Sequence, residues 1–366
     1  MNMRAAILRD HKLSMPIECV AIDEPRADEV LVRIVATGIC HTDIKVAMVP
    51  GLSPRPIVLG HEGSGIVEKI GSNVRKLAVG DHVVLTFDSC GRCPTCVSGK
   101  PAYCYEVREV CFGGKRLDGS TTLSCNHAPV HGNFFGQSSF ATHALANERN
   151  AIKVRKDAPL ELLGPLGCGL QTGAGAVLNS FGLRPGQTIA VFGTGAVGLA
   201  AVMAARIAGA SKIFAIDVAD ERLAMAKELG ATHIINGKNE NALALIMAET
   251  GRGVDYSLDT TAVDAVATQA IDCVGPLGTC GLIANKGPQQ TVPVNILASM
   301  MRGRSMRGIV QGDSVPDLFI PRLVEFFMKG LFPFDKLVRF YKFEEINQAL
   351  DDAEHGRAIK PILRMD

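Results

Sequence analysis

The stretch QTIAVFGTGAVGLAAVMAARIAGASKIFAID, residues 187–217, decides the fold. Its pattern predicts a buried strand, a glycine turn, a long apolar helix and a second strand. The same alternation of helix and strand continues in ERLAMAKELGATHIIN (221–236) and in VDYSLDTT (254–261). Repeated βαβ units predict an α/β protein with a parallel, doubly wound sheet.

The glycine turn itself fits the pattern G-x-G-x-x-G, and its members are Gly193, Gly195, Ala196, Val197 and Gly198. The first glycine permits the tight turn, the second lets a pyrophosphate approach the backbone, and the third lets the helix pack closely on the strand. The helix N-terminus would then face the phosphates. The alternative is an apolar helix whose glycines serve only for packing.

An acidic residue, Asp217, lies nineteen positions after Gly198, at the end of the second strand. Its carboxylate would accept hydrogen bonds from the adenosine ribose, and its charge would repel a 2′-phosphate. Val218 follows, so no arginine stands directly beside it to bind that phosphate. The sequence therefore predicts NAD rather than NADP, with Arg222 as a further candidate contact to the cofactor.

Composition excludes several classes of partner. The 366 residues carry a formal net charge of +1, with 47% hydrophobic and 20% charged residues. So small a net charge produces no electrostatic field that would attract nucleic acid or an anionic membrane surface. The sequence has no apolar run of the length of a signal peptide or a membrane span, so we expect a cytoplasmic protein.

Four cysteines lie close together in DSCGRCPTCVSGKPAYC (88–104): Cys90, Cys93, Cys96 and Cys104. A reducing cytosol argues against a disulfide framework. Short spacings let four thiolates wrap one tetrahedral ion and close its coordination shell, so the cluster predicts a structural zinc site. An iron–sulfur cluster and a redox-active pair are the alternatives.

A second metal site is indicated by GICHTDIK (38–45), LGHEGSG (59–65) and GPLGCGLQTGAG (164–175). Together these segments offer two cysteines and a histidine, Cys40, His61 and Cys168. Three such ligands can hold zinc and leave a fourth position for water or an alcohol. Each residue alone is more often a packed or surface side chain than a ligand.

At these residues the sequence resembles the zinc-dependent medium-chain alcohol dehydrogenases, and the resemblance covers essentially the whole chain. FFGQSSFATHAL (134–145) and PLELLGPLGCGLQTGAG (159–175) resemble, more narrowly, the bacterial aryl-alcohol (benzyl alcohol) dehydrogenases. The same segments are close to enzymes that act on terpene alcohols such as geraniol. The resemblance implies that Cys40, His61 and Cys168 hold a catalytic zinc.

The resemblance also implies roles for the neighbours of these ligands. Glu62 would sit beside the zinc and replace its bound water transiently, which makes it a catalytic candidate. Asp43 would orient the zinc-bound histidine, although an N-terminal helix cap is an alternative role for it. Thr42 would hydrogen-bond the substrate oxygen and relay its proton, and His41 would lie near the cofactor pyrophosphate.

The implied reaction is hydride transfer from the alcohol carbon to the nicotinamide, with zinc as a Lewis acid that lowers the pKa of the alcohol. Many family members place a histidine three residues after Thr42, as the outer end of the proton relay. Here Lys45 stands at that position. Either this lysine is perturbed, or the proton leaves through a ribose hydroxyl and water, or Lys45 is an ordinary surface residue.

The resemblance places the substrate pocket at Thr86, Phe87, Phe134 and Phe135, with Leu52 and Val310 as further candidates. Aromatic and aliphatic walls favour a primary aromatic or allylic alcohol as substrate. Phenylalanines are also common in protein cores, which is the plain alternative. No sequence pattern predicts the structure or the role of the loop 105–133.

By resemblance the architecture is a GroES-like β-rich catalytic domain (1–170 and 311–366) and a Rossmann nucleotide domain (171–310). The active site is expected in the cleft between them, and the assembly is expected to be a homodimer or homotetramer. Three alternatives stay open: a glutathione-dependent formaldehyde dehydrogenase, a broad aliphatic alcohol dehydrogenase, and a non-enzymatic protein that binds zinc and nucleotide.

Overall fold

The computed structural model describes residues 1–365. The chain forms two compact units. The first unit contains residues 1–169, 314–328 and those from 334 onward, and the second contains residues 170–313 and 329–333. The borders expected from the sequence lay after residues 170 and 310, and no sequence pattern singled out the short segment 329–333.

Strands dominate the first part of the chain. In order, its elements are β1 (Asn2–Leu8), β2 (Ile17–Ile22), β3 (Glu29–Gly38), α1 (His41–Met48), β4 (Ile57–Val58), β5 (Gly63–Ile70), β6 (His82–Leu85), α2 (Pro94–Val97), α3 (Val107–Phe112), β7 (Leu123–Cys125), β8 (Ala128–Val130), β9 (His143–Asn147), β10 (Ala151–Val154) and α4 (Leu160–Leu163).

Helices and strands alternate in the middle of the chain, and a mixed segment ends it. The middle contains α5 (Gly169–Gly175), β11 (Thr188–Phe192), α6 (Ala196–Ile207), β12 (Lys212–Asp217), α7 (Asp220–Leu229), β13 (His233–Asn236), α8 (Ala242–Thr250), β14 (Val254–Asp259), α9 (Asp264–Asp272), β15 (Val274–Leu282), α10 (Ile296–Arg302) and β16 (Ser305–Gly308). The last segment contains α11 (Pro316–Met328), β17 (Val338–Lys342), α12 (Ile346–Glu354) and β18 (Lys360–Arg364).

The first unit is built on two sheets whose strands pair antiparallel, except for β17 with β18. One sheet has the order β4-β1-β2-β7-β8. The other has the order β10-β6-β5-β3-β18-β17, with β9 also paired to β3. The terminal strand β18 pairs with β3, which confirms the prediction that KPILRMD returns to the first domain.

The second unit contains a six-stranded, wholly parallel sheet in the order β13-β12-β11-β14-β15-β16. Its central strands are continuously apolar because helices cover both faces, and Ile189–Phe192 is completely buried. The predicted doubly wound sheet is confirmed. Strand order reverses between β11 and β14, and ligands of such sheets bind at the carboxyl ends there.

The loop 105–133, which the sequence left unplaced, is anchored by an ion-pair cluster. Arg116 is 8% exposed and donates to both carboxylate oxygens of Glu29, at 2.6 and 2.9 Å, and to Asp23 at 3.0 Å. A buried guanidinium needs such partners to offset its lost hydration. The loop is therefore fixed to the start of β3. Among residues 1–365, no helix combines the length and the apolar character that crossing a bilayer requires.

Candidate active site

Four donor side chains from three distant segments meet in the first unit: Cys40, His61, Glu62 and Cys168. Their ligand atoms all lie within 4.8 Å of one another. Cys40 is the residue before α1, His61 and Glu62 directly precede β5, and Cys168 lies in the turn before α5. The strand ends and turns of one unit thus bring together the three ligands that the sequence predicted.

Asp43 fixes the orientation of His61. Its carboxylate is completely buried, and Oδ1 lies 3.0 Å from His61 Nδ1 and accepts the Gly60 N–H at 3.0 Å. Oδ2 accepts the Cys40 N–H at 3.1 Å and so closes the first turn of α1. The two roles considered for Asp43, histidine orientation and helix capping, are therefore both performed by one carboxylate.

The donor set fits a zinc ion. His61 Nε2 is buried and has no hydrogen-bond partner among the described residues, while Nδ1 is held by Asp43. This pattern is usual for metal-bound histidines, whose second nitrogen is fixed by a carboxylate. The hydrogen bond between the two thiols lowers the pKa of Cys40 well below the ordinary value and raises that of Cys168. Two sulfurs and one nitrogen fill three tetrahedral positions, and the fourth is open when the Glu62 carboxylate does not bind the ion.

A buried lysine that the sequence did not reveal lies against this cluster. Lys360 donates to both Glu62 oxygens, at 3.0 and 2.9 Å, and to the Ile39 carbonyl at 3.0 Å. Glu62 Oε1 also accepts the Gly169 N–H at 3.3 Å. Burial raises the pKa of Glu62 to about 7 although Lys360 opposes the rise. The pair is therefore attached to the backbone beside each of the three predicted ligands.

Two phenylalanines pack against the His61 ring, and a third packs against both of them. Phe135 stacks on it with ring centroids 4.5 Å apart, and Phe134 meets it edge-on at 5.6 Å. Phe112 of α3 contacts both phenylalanines. Phe135 has φ of +51°, a strained value for a bulky residue that occurs mainly at functional sites. Phe134, Phe135 and the neighbouring Phe87 are buried.

Two buried polar side chains hold the turns of the site. Thr86, one of the predicted pocket residues, donates from its hydroxyl to the Gly167 carbonyl at 2.6 Å, next to Cys168. Gln137 donates to the carbonyls of His61 and Thr86 at 3.0 and 3.1 Å. Gln137 was not predicted as a site residue, although it lies in the segment FFGQSSFATHAL.

The remaining predicted residues lie on helix α1 or outside it. His41 is exposed and Thr42 half-buried in the first turn of α1, directly after Cys40, and Lys45 is half-buried one turn later. Leu52 packs against the core of the first unit, and Val310 is an exposed residue of the second unit.

The four clustered cysteines also converge. The sulfur atoms of Cys90, Cys93, Cys96 and Cys104 lie within 4.8 Å of one another, and all eleven cysteines are free thiols. The Cys93 N–H points to Cys90 Sγ at 3.3 Å, and the Cys90 N–H points to Cys104 Sγ at 3.2 Å. Amide donors aimed at sulfur stabilise thiolates, and four thiolates fit a closed tetrahedral zinc site.

The glycine turn of the second unit connects β11 to α6. Gly193 has φ of +88°, and a Cβ there would lie 2.5 Å from Thr260 Oγ1. A Cβ on Gly198 would lie 1.8 Å from the Gly193 carbonyl oxygen, whereas the space beside Gly195 is open. Side chains are thus excluded where the turn and helix pack, and there is room beside the N-terminus of α6. Ala196 and Val197 form the first turn of that helix.

Asp217, at the end of β12, is 8% exposed and accepts four hydrogen bonds. Oδ2 accepts the amide and the hydroxyl of Thr194, at 2.6 and 2.9 Å. Oδ1 accepts the amides of Val218 and Ala219, at 2.7 and 3.1 Å. Arg222 is half-buried in α7. Thr194 was not among the predicted residues, because it occupies a variable position of the glycine pattern.

Comparison with known proteins supplies two matches to family models. Residues 26–156 match the alcohol dehydrogenase GroES-like domain, and residues 196–328 match the zinc-binding dehydrogenase domain. The first match contains Cys40, His61 and all four clustered cysteines. The second begins at the helix that follows the glycine turn.

Individual relatives span nearly the whole chain. A geraniol dehydrogenase of Castellaniella defragrans is 48% identical over 364 residues, which are 99% of this chain and 97% of that protein. Among solved structures, an alcohol dehydrogenase zinc-binding domain protein from Burkholderia ambifaria has a TM-score of 0.99 and 52% identity, over 100% of this chain and 99% of that one. A benzyl alcohol dehydrogenase from Acinetobacter calcoaceticus has a TM-score of 0.97 and 44% identity, over 100% of both chains.

Proposed function

The chain belongs to the zinc-dependent medium-chain alcohol dehydrogenases, and from this membership we propose that it oxidises a primary aromatic or allylic alcohol to the aldehyde, reversibly and with NAD. That it is an alcohol dehydrogenase follows from its relatives. The metal count, the cofactor and the substrate are the proposal. The observation that carries it is the convergence of Cys40, His61 and Cys168, with His61 Nε2 buried and without a hydrogen-bond partner in residues 1–365.

The chain's own residues would hold a catalytic zinc ion and the groups around it. Cys40, His61 and Cys168 are the proposed ligands, and Asp43 keeps the imidazole in the orientation that binds metal. Zinc in an open site of this kind supplies Lewis-acid chemistry, which lowers the pKa of an alcohol. Lys360 holds both oxygens of Glu62 and so keeps that carboxylate beside the ligands.

We assign the proton step to Thr42, whose hydroxyl accepts the alcohol proton and passes it outward. His41, exposed on the same turn of α1, is assigned to the cofactor pyrophosphate. Lys45 is one turn farther along α1, at the position where many family members carry a histidine. We leave Lys45 outside the proton relay; a bound cofactor would supply a ribose hydroxyl as the next acceptor after Thr42.

NAD is the proposed cofactor, bound at the glycine turn and Asp217. The open space beside Gly195 suits a pyrophosphate, and the Asp217 carboxylate suits ribose hydroxyls and repels a 2′-phosphate. We assign a second, structural zinc to Cys90, Cys93, Cys96 and Cys104. Thiolate ligands in such number require reducing conditions, and we place the enzyme in the cytoplasm.

The substrate class is supported by the relatives and by the aromatic cluster. Two similar proteins are named for geraniol and benzyl alcohol, an allylic and an aromatic alcohol. Phe134 and Phe135 pack directly on the His61 ring, so apolar side chains adjoin the proposed metal site. Apolar walls favour such alcohols over polyols or charged glutathione adducts.

We also propose that the enzyme assembles through its second unit into a dimer or tetramer. Strand β16 lies at the edge of the parallel sheet and every one of its residues is exposed. The adjacent helix α10 exposes apolar side chains at Ile296, Leu297, Met300 and Met301. An exposed strand edge beside an apolar helix is usually covered by another chain, and a second copy could extend the sheet at β16.

The proposed function is tested by initial rates of NADH formation with benzyl alcohol, geraniol, ethanol and sorbitol. Each alcohol is measured with and without a zinc chelator, and formaldehyde is measured with and without glutathione. We expect fast, chelator-sensitive turnover of benzyl alcohol or geraniol and little turnover of the others. Activity confined to ethanol, sorbitol or the glutathione adduct would overturn the substrate class.

A further inference from the structure

We propose that Thr194 is a positioning residue that holds the Asp217 carboxylate for NAD and thereby contributes to the choice of NAD over NADP. This inference rests on the cofactor site of the proposed function. Its starting point is one side-chain contact: the Thr194 hydroxyl lies 2.9 Å from Asp217 Oδ2. The glycine pattern does not require a threonine at this position.

Thr194 is well suited to hold another side chain still. It lies between Gly193 and Gly195 and is completely buried. β-Branched side chains have a restricted χ1 angle, so the hydroxyl has little freedom to turn away. A buried hydroxyl also needs a hydrogen-bond partner, and Asp217 provides it.

The chain supplies four donors to the two oxygens of the Asp217 carboxylate. Three of the donors are backbone amides, from Thr194, Val218 and Ala219. Among the described residues, the Thr194 hydroxyl is the one side-chain donor. It is therefore the contact that a substitution can remove without changing the backbone of the turn.

Without this hydroxyl, Asp217 Oδ2 would accept only the hydrogen bond from the Thr194 amide. The terminal torsion of an aspartate is soft, so the carboxylate would then sample more orientations. The ribose hydroxyls of NAD would then have to fix the orientation of the carboxylate on binding. The conformational freedom lost in this step would weaken NAD binding. A carboxylate free to turn would also repel a 2′-phosphate less. NAD and NADP affinities are thus expected to change unequally.

A merely structural Thr194 predicts a different result. If the side chain only packs the turn, its loss would weaken both cofactors by the same factor, since both share the pyrophosphate that the turn holds. The ratio of the two affinities therefore separates positioning from packing. Thr194→Ser is the matched control because it keeps the hydroxyl and loses only a methyl group.

The experiment is fluorescence titration of the zinc-loaded enzyme with NADH and with NADPH, for wild type, Thr194→Val, Thr194→Ser and Asp217→Asn. We expect Thr194→Val to lower the preference for NADH by about tenfold, as for a lost hydrogen bond to a charged group. Thr194→Ser should stay within about twofold of wild type. Thr194→Ala replaces the valine variant if the latter does not fold.

The outcomes distinguish this inference from the proposed cofactor site. An unchanged preference in Asp217→Asn would overturn the assignment of Asp217, and the Thr194 role with it. A changed preference in Asp217→Asn but not in Thr194→Val would overturn the Thr194 role alone. Equal weakening of both cofactors, or tighter NADH binding in Thr194→Val, would also overturn it.

Discussion

At the scale of single residues, Lys360 shows how one buried charge can organise a site from outside its ligand set. Its ammonium contacts the Ile39 carbonyl and the Glu62 carboxylate, and Glu62 accepts an amide from Gly169. These three residues are the sequence neighbours of the three proposed zinc ligands. The ion pair therefore restrains the backbone at every ligand at once.

We predict that Lys360→Met weakens the open metal site. Removing one partner of a buried ion pair costs about 3–5 kcal/mol because the other charge remains buried. Groups that support metal ligands typically change metal affinity or activity by about 10–100-fold. The expected result is loss of about one zinc per chain, measured by metal analysis after dialysis, with a matching loss of alcohol oxidation.

Lys360→Arg is the control for this prediction. Arginine keeps a charge that can donate to both Glu62 and the Ile39 carbonyl, so zinc content should return toward that of wild type. Full zinc retention in Lys360→Met would show that the ion pair does not support the ligands.

Residues that stand in a short sequence motif could be predicted as site residues. Residues whose role depends on a contact with a distant segment could not. Cys40, His61 and Cys168 each stand in a short recognisable segment. Lys360 meets a partner 298 positions away, and its lysine in a terminal strand looks ordinary until the sheet places β18 beside β3. Gln137 is similar, because its partners are backbone carbonyls that only the folded turns bring together.

At the scale of elements, the contact between α12 and β17 depends on one buried carboxylate. Asp352 is 3% exposed, and its oxygens accept from the Tyr341 hydroxyl at 2.6 Å, from Gln348 at 2.9 Å and from Arg357 at 2.7 Å. Arg339 lies 3.5 Å away. The Tyr341 hydrogen bond, followed by that of Arg357, lowers the pKa of Asp352 to about 2.

This shift predicts the pH dependence of stability in the first unit. The folded pKa of Asp352 lies below the unfolded value of about 3.9, so the ionised carboxylate stabilises the fold above that pH. The stabilisation is lost as pH falls from about 4 toward 2. We therefore expect Asp352→Asn to lower the urea midpoint at pH 7 and pH 5 equally, with a smaller deficit below pH 4.

Asp351→Asn is the matched control, because Asp351 lies next to Asp352 in α12 and its side chain is 51% exposed. We expect it to leave the midpoint nearly unchanged at pH 7. A deficit in Asp352→Asn that is independent of pH down to pH 3 would contradict the role of the ionised carboxylate.

The elements themselves were predicted where the sequence pattern is periodic. The βαβ alternation and the return of the terminal strand were both readable from apolar runs and their breaks. Loop 105–133 was not, because its order comes from Arg116 and the acidic partners Asp23 and Glu29, far earlier in the chain. Ion pairs between distant segments leave no periodic signal.

At the scale of the whole molecule, the edge of the parallel sheet predicts self-association. Met301 of α10 is 77% exposed, the other large apolar residues of that helix are exposed as well, and the edge strand β16, which pairs only with β15 among the described strands, follows it in the chain. A charge in an apolar interface is costly, so Met301→Asp should shift the assembly toward smaller species. Sedimentation velocity measures this directly.

Leu318→Asp provides the comparison, since Leu318 is 74% exposed but belongs to the first unit. It should leave the sedimentation coefficient unchanged. If Met301→Asp sediments like wild type, or if wild type is already a monomer, the surface formed by α10 and β16 is not an interface.

The fold class was predictable because the parallel sheet follows from local patterns and the family resemblance covers essentially the whole chain, and the comparisons confirm the family. The substrate was not, because a pocket is shaped by side chains from several loops. Phe112 illustrates this: it packs on Phe134 and Phe135 although it comes from the loop that sequence left unplaced.

The central claim is that the cluster of Cys40, His61 and Cys168 is an open zinc site on which alcohol oxidation depends. The most direct test measures zinc per chain and benzyl alcohol oxidation together, in wild type and in Cys168→Ser, with Cys96→Ser as the control for the four-thiol site. We predict two zinc ions in wild type, and one in Cys168→Ser with activity abolished and thermal stability largely kept. Cys96→Ser should also hold one zinc but lose mainly stability. Undiminished oxidation by a Cys168→Ser enzyme that has lost its zinc would contradict the account.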